Sequence, residues 1–68
     1  MKSVLKVAGM RKSSDVRKVQ SAIAINEGVI ASEVALDKNE VTIIYNDVVT
    51  ELDEIIDKIE DMGYTVIW

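Results

Sequence analysis

The sequence contains no cysteine and no histidine. A small domain usually supplements a thin core with disulfides or a structural zinc ion. Both devices are excluded here, and so is catalysis by a thiol or an imidazole. Without cysteine, the composition carries no signal of redox compartment. There is no phenylalanine, and the aromatic residues are two tyrosines and one tryptophan. Base stacking on a sheet needs exposed aromatics on central strands, which this set does not supply. A net charge of −4 also argues against nucleic acid as a partner. No apolar run approaches the ~20 residues of a membrane span. Charge at Lys2 and Lys6 interrupts the N-terminus too early for a signal peptide. The expectation is a cytoplasmic protein without direct membrane insertion.

What is present is 68 residues, enough for one domain over 1–68. The chain is 49% hydrophobic and 29% charged, the balance of a folded domain. Its charge is divided along the sequence. Residues 1–25 hold Lys2, Lys6, Arg11, Lys12, Arg17 and Lys18 against Asp15 alone, a surplus of +5. Residues 26–68 hold Lys38 and Lys58 against eleven acids, a balance of −9. Two solvated faces of opposite sign would account for this division, and so would a surface that steers a charged partner.

Alternation over 3–8 predicts a strand with Leu5 and Val7 inward. A loop from Gly9 leads to a helix over 15–25, with Ser13 or Ser14 as cap and Val16, Val19, Ala22 and Ile23 inward. Gly28 ends that region. Residues 29–36 and 41–45 read as strands around a turn at Asp37–Glu40. Thr50 and Asp53 have the spacing of a capping box. Leu52, Ile55, Ile56 and Ile59 recur at helical spacing, and the helix ends at Met62 before Gly63. Tyr64–Trp68 reads as a final strand. The order β-α-β-β-α-β predicts an α+β ferredoxin-like sandwich, a four-stranded antiparallel sheet with both helices on one face.

That topology serves many functions, so the residues must decide. The loop residues Arg11, Lys12, Ser13 and Ser14 meet a helix N-terminus, where an anion would bind, but Asp15 opposes one. Asp53, Glu54, Asp57, Glu60 and Asp61 crowd one helix without a loop built to wrap a cation, which reads as a solvated face. No nucleophile stands beside a base, so no enzymatic activity is expected.

The run Gly9-Met10-Arg11-Lys12-Ser13-Ser14-Asp15-Val16-Arg17-Lys18-Val19-Gln20-Ser21-Ala22-Ile23 resembles the heavy-metal-associated domain pattern G-M-x-C-x-x-C-V-x-x-V-x-x-A-L. Gly28-Val29, Glu40-Val41-Thr42-Ile43-Ile44-Tyr45 and Glu60-Asp61-Met62-Gly63-Tyr64-Thr65-Val66 continue the resemblance to the end of the chain. Copper chaperones and the N-terminal modules of copper-transporting P-type ATPases have this domain. The resemblance implies a loop on which two thiolates hold Cu(I), since soft ligands suit that ion. Those two positions are Lys12 and Asp15 here, so neither a cofactor nor Cu(I) binding is expected.

Met10 matches a family methionine that packs beneath the loop, and is the weak remaining candidate for a ligand. Lys12 and Asp15 either pair across the space of the metal or are tolerated surface residues. Tyr64 matches an aromatic that covers the loop, with its hydroxyl expected in water. The resemblance implies docking through Met10, Arg11, Lys12, Ser13, Ser14, Asp15, Arg17, Lys18 and Tyr64 onto an acidic protein domain, such as another heavy-metal-associated domain or a transporter. Weak, salt-sensitive self-association is also expected. Two other readings stay open: a metal-binding or transport protein with atypical ligands, and a ligand-free structural domain within a longer protein.

Overall fold

The computed structural model describes residues 1–67, and Trp68 lies outside the described residues. Seven elements follow in order: β1 (Lys2–Ala8), α1 (Ser13–Ala24), β2 (Val29–Ala35), a 3-10 turn (Leu36–Lys38), β3 (Glu40–Tyr45), α2 (Leu52–Asp61) and β4 (Thr65–Ile67). The strands form one sheet in the order β2-β3-β1-β4. Every pairing is antiparallel, with Leu5 opposite Val41 and Val7 opposite Val66. The expected ferredoxin-like sandwich is thus the observed fold.

Strand alternation sorts the side chains. Leu5, Val7, Val41, Ile43 and Val66 point to the covered face, while Val4, Lys6, Ile44 and Ile67 remain exposed on the other. Val19 and Ile23 of α1 and Ile55 and Ile59 of α2 complete a core in which each is fully buried. Both helices therefore lie on one side of the sheet. Their apolar stripes exist because these residues recur at three- and four-residue spacing.

The boundaries depart from the sequence reading in places with physical causes. α1 begins at Ser13, and its cap is Lys12 rather than either serine. Asp15, three residues on, accepts the Lys12 backbone N–H at 3.2 Å, which is the acid's half of a capping box. β2 stops at Ala35 because Leu36–Lys38 coil into the 3-10 turn. Asn39 closes that turn in the left-handed region, which a short polar side chain tolerates. α2 is capped at Glu51, not Thr50. Thr50 is buried and its hydroxyl donates to Glu54 Oε2 at 3.4 Å, so the Thr50–Asp53 capping box is not formed. α2 closes one residue short of Met62, with the Gly63 N–H donating to the Glu60 carbonyl at 2.9 Å. The final strand is Thr65–Ile67, and the part expected at Trp68 falls outside the described residues.

Two glycines have separable reasons. Gly28 has φ +94°, and a Cβ there would lie 2.9 Å from Cβ of Val49. Gly63 has φ +97° with open space beside it. A side chain at positive φ costs about 1–2 kcal/mol on backbone grounds alone. Gly63→Ala is therefore expected to lose about that much in denaturant titration, and Gly28→Ala distinctly more. Equal losses would show that the Val49 contact gives way freely.

Candidate functional site

The loop between β1 and α1 is fixed by three features of sequence. Gly9 has φ +105°, and its missing Cβ leaves room for the Tyr64 ring, whose Cδ1 would lie 3.3 Å from one. Met10 is 5% exposed and belongs to the core cluster, so its side chain anchors the loop from beneath. Lys12 is extended at φ −147°, which turns the chain into α1.

Asp15 closes the structure. One carboxylate oxygen, Oδ2, accepts the backbone N–H of Arg11 at 2.9 Å and of Lys12 at 3.2 Å. The other, Oδ1, accepts the Tyr64 hydroxyl at 2.6 Å. A short O–H···O⁻ bond of this kind is charge-assisted. One side chain thus ties the loop backbone, the first turn of α1 and the segment entering β4. The Tyr64 hydroxyl, expected in water, is spent on this contact, while its ring is buried against Gly9.

The electrostatics follow from the same bonds. The Tyr64 hydroxyl and then the Arg11 amide hold the Asp15 carboxyl below its ordinary value of 3.8; burial opposes them, and the Lys12 amide and the Lys12 charge contribute less. The Asp15 charge acts in reverse on Tyr64 and raises its hydroxyl above 10.0. For Asp15 the unfolded chain binds more protons below its ordinary value, so its contribution is complete above pH 3.8 and is lost as pH falls through the depressed value. For Tyr64 the contribution is complete below pH 10.0 and is lost as pH rises through the raised value. Asp15→Ala is expected to bring the Tyr64 titration, followed by phenolate absorbance, back toward its ordinary range. An unchanged phenolate curve would sever the link between the two groups.

Of the two readings of Lys12 and Asp15, the ion pair does not form. Among the described residues the ion pair found is Lys6–Glu40 at 3.7 Å. Asp15 already has three donors on its oxygens, and Lys12 is extended with its side chain exposed to solvent. Arg11, Ser13, Arg17 and Lys18 are exposed as well, and Ser14 is half-buried. Of the nine docking candidates, Met10 and Tyr64 thus lie inside, Asp15 between, and the cations at the surface. The Asp15–Tyr64 bond spans 49 positions in the chain. An acid three residues past the cap predicts the local half of its bonding; for the distant half, the resemblance puts the Tyr64 ring over the loop but its hydroxyl in water.

Among the described residues no group of three carboxylates, thiols or imidazoles is placed to hold a metal ion. The loop at Asp15 offers one carboxylate with both oxygens engaged. Such a hard, singly anionic site does not fit a soft monovalent ion.

A four-stranded antiparallel sheet with two helices on one face defines a ferredoxin-like α+β domain, with the candidate site in the loop at the start of the first helix. The chain belongs to the heavy-metal-associated domain family, whose model matches residues 4–65. The copper chaperone CopZ of Staphylococcus haemolyticus is 38% identical over 63 residues, 93% of each chain. A solved CopZ metallochaperone superposes with a TM-score of 0.96 at 31% identity, covering 98% of this chain and 100% of that one. A copper-binding domain from HMA7, a P-type ATPase, superposes with a TM-score of 0.92 at 26% identity, covering 97% and 89%. This member lacks the paired cysteines of the family motif, with Lys12 and Asp15 in their places.

Proposed function

We propose that this chain is a non-catalytic docking or regulatory module of metal transport that engages partner domains without carrying Cu(I). The observation that supports it is the engagement of Asp15. At one family ligand position a carboxylate is held by two loop amides and Tyr64, and at the other stands an exposed ammonium. The loop keeps a defined shape by hydrogen bonds within the chain, so its surface is available whether or not copper is present. The reading with atypical ligands needs Met10, whose side chain is buried beneath the loop.

Arg11, Lys12, Arg17 and Lys18 surround this loop as exposed cations. They suit an acidic surface, such as that of another heavy-metal-associated domain or a transporter's soluble module, in the cytoplasm. Among the described residues no helix is long and apolar enough to cross a membrane. An association carried by exposed charge is fast and is weakened by salt.

The test is an amide NMR titration of the labelled chain with an acidic heavy-metal-associated domain from a copper-transporting ATPase, without metal. Shifts confined to Arg11–Lys18 and their surroundings, fading from about 0.01 to about 0.15 M ionic strength, are expected. Amides that stay still at low salt would contradict the docking role.

A further inference from the structure

The helix layer carries opposite charge on its two helices, and among the described residues none of these charges is in an ion pair. Arg17 and Lys18 are exposed on the outer side of α1. Asp57, Glu60 and Asp61 are exposed on α2. The two helices pack side by side, yet no ion pair joins them among the described residues.

β1 and β3, which feed α1 and α2, are antiparallel, so the helices run in opposite directions. The N-terminal half of α1, with Arg17 and Lys18, therefore lies at the same end as the C-terminal half of α2. In addition, Glu60 and Asp61 sit in the last turn of α2, where the helix dipole is negative, with Lys58 as the basic residue there. Acids at that end are unfavourable unless cations from elsewhere approach.

We infer that the helix layer is a self-complementary surface on which a second copy of this chain docks. A two-fold axis running parallel to the helices and between them lays α1 of one copy over α2 of the other. The operation keeps each residue's height along the axis. Arg17 and Lys18 of each copy then face Asp57, Glu60 and Asp61 of its partner, and both contacts form at once, as a two-fold interface requires. The net charge of −4 opposes association. That repulsion acts between centres separated by roughly the 20 Å thickness of the domain, whereas the pairs act at contact. Screening at physiological salt, with a length of about 8 Å, removes more of the former than of the latter. The surface is polar and its charges are exposed, so the complex is weak and short-lived.

This inference does not depend on the docking role proposed above, since it needs no other protein. Its test uses the chain alone, in sedimentation velocity over a wide range of concentration and salt. The wild type is expected to dimerise reversibly, with a dissociation constant weakened on the order of tenfold between about 0.15 and about 1 M salt. R17E/K18E makes both helices acidic, and D57K/E60K/D61K makes both basic. Each alone is expected to remain monomeric with an unchanged amide fingerprint, while an equimolar mixture of the two associates. A wild type that stays monomeric throughout overturns the inference. So do reversed variants that dimerise as the wild type does, or a mixture that remains two monomers.

Discussion

The double substitution K12C/D15C is expected to convert the chain into a binder of one Cu(I), under anaerobic conditions and against a chelator that strips the wild type completely. The scaffold for such a site is already in place. The fold superposes on a CopZ metallochaperone with a TM-score of 0.96, and the two positions flank the first turn of α1 as residues 12 and 15. What positions 12 and 15 lack is soft donor atoms, and two thiolates supply them. The single variants sharpen the test. K12C keeps the Asp15 carboxylate and its Tyr64 bond, and D15C keeps the Lys12 ammonium, so neither presents two soft ligands. Both are expected to lose copper to the chelator. A wild type that holds Cu(I) as firmly as the double variant would mean that the substitutions at 12 and 15 do not account for loss of metal.

The second large effect concerns stability. Ile59 and Ile23 are fully buried in the single core, and no disulfide shares the load. Truncation of such a residue to alanine costs about 2–5 kcal/mol through lost burial and the cavity left behind. A domain of this length commands only about 3–10 kcal/mol in total. Ile59→Ala is therefore expected to leave a substantial unfolded population near room temperature, visible as collapse of amide dispersion. Ile67→Ala, on the exposed face of the sheet, is expected to change stability by less than about 0.5 kcal/mol. Similar losses at both positions would show that the core is not where this fold is held.

The contrast between these two sites explains what the sequence could reveal. Ile55, Ile56 and Ile59 announce α2 because burial of a stripe imposes a spacing that survives in the linear chain. The alternation around Leu5 and Val7 announces β1 for the same reason. The caps were less legible. Ser13, Ser14 and Thr50 have the chemistry of caps, but α1 is capped at Lys12 with Asp15 bonding the Arg11 and Lys12 amides, which puts both serines inside the helix, and burial directs Thr50 to Glu54. The site itself was legible in its parts and not in its connection. The motif around Gly9 and Met10 located the loop, and the substituted residues 12 and 15 predicted a loss of soft ligands. For Asp15, charge and spacing offered Lys12 as a partner, with an unpaired surface role as the alternative. Tyr64 is the partner, and only the fold brings it there, because β4 pairs with β1 beside the loop.

The loop before α1 is closed by hydrogen bonds to Asp15. The most direct test of this closure is to follow the backbone amides of Gly9–Val16 by NMR in the wild type while Cu(I) is added against a competing chelator, with Asp15→Ala as the comparison. The expected result is a wild-type loop whose amides hold still and resist hydrogen exchange with the chelator retaining the copper, and a variant whose loop loses that protection. Wild-type amides that shift at stoichiometric copper, or a loop equally protected without Asp15, would contradict it.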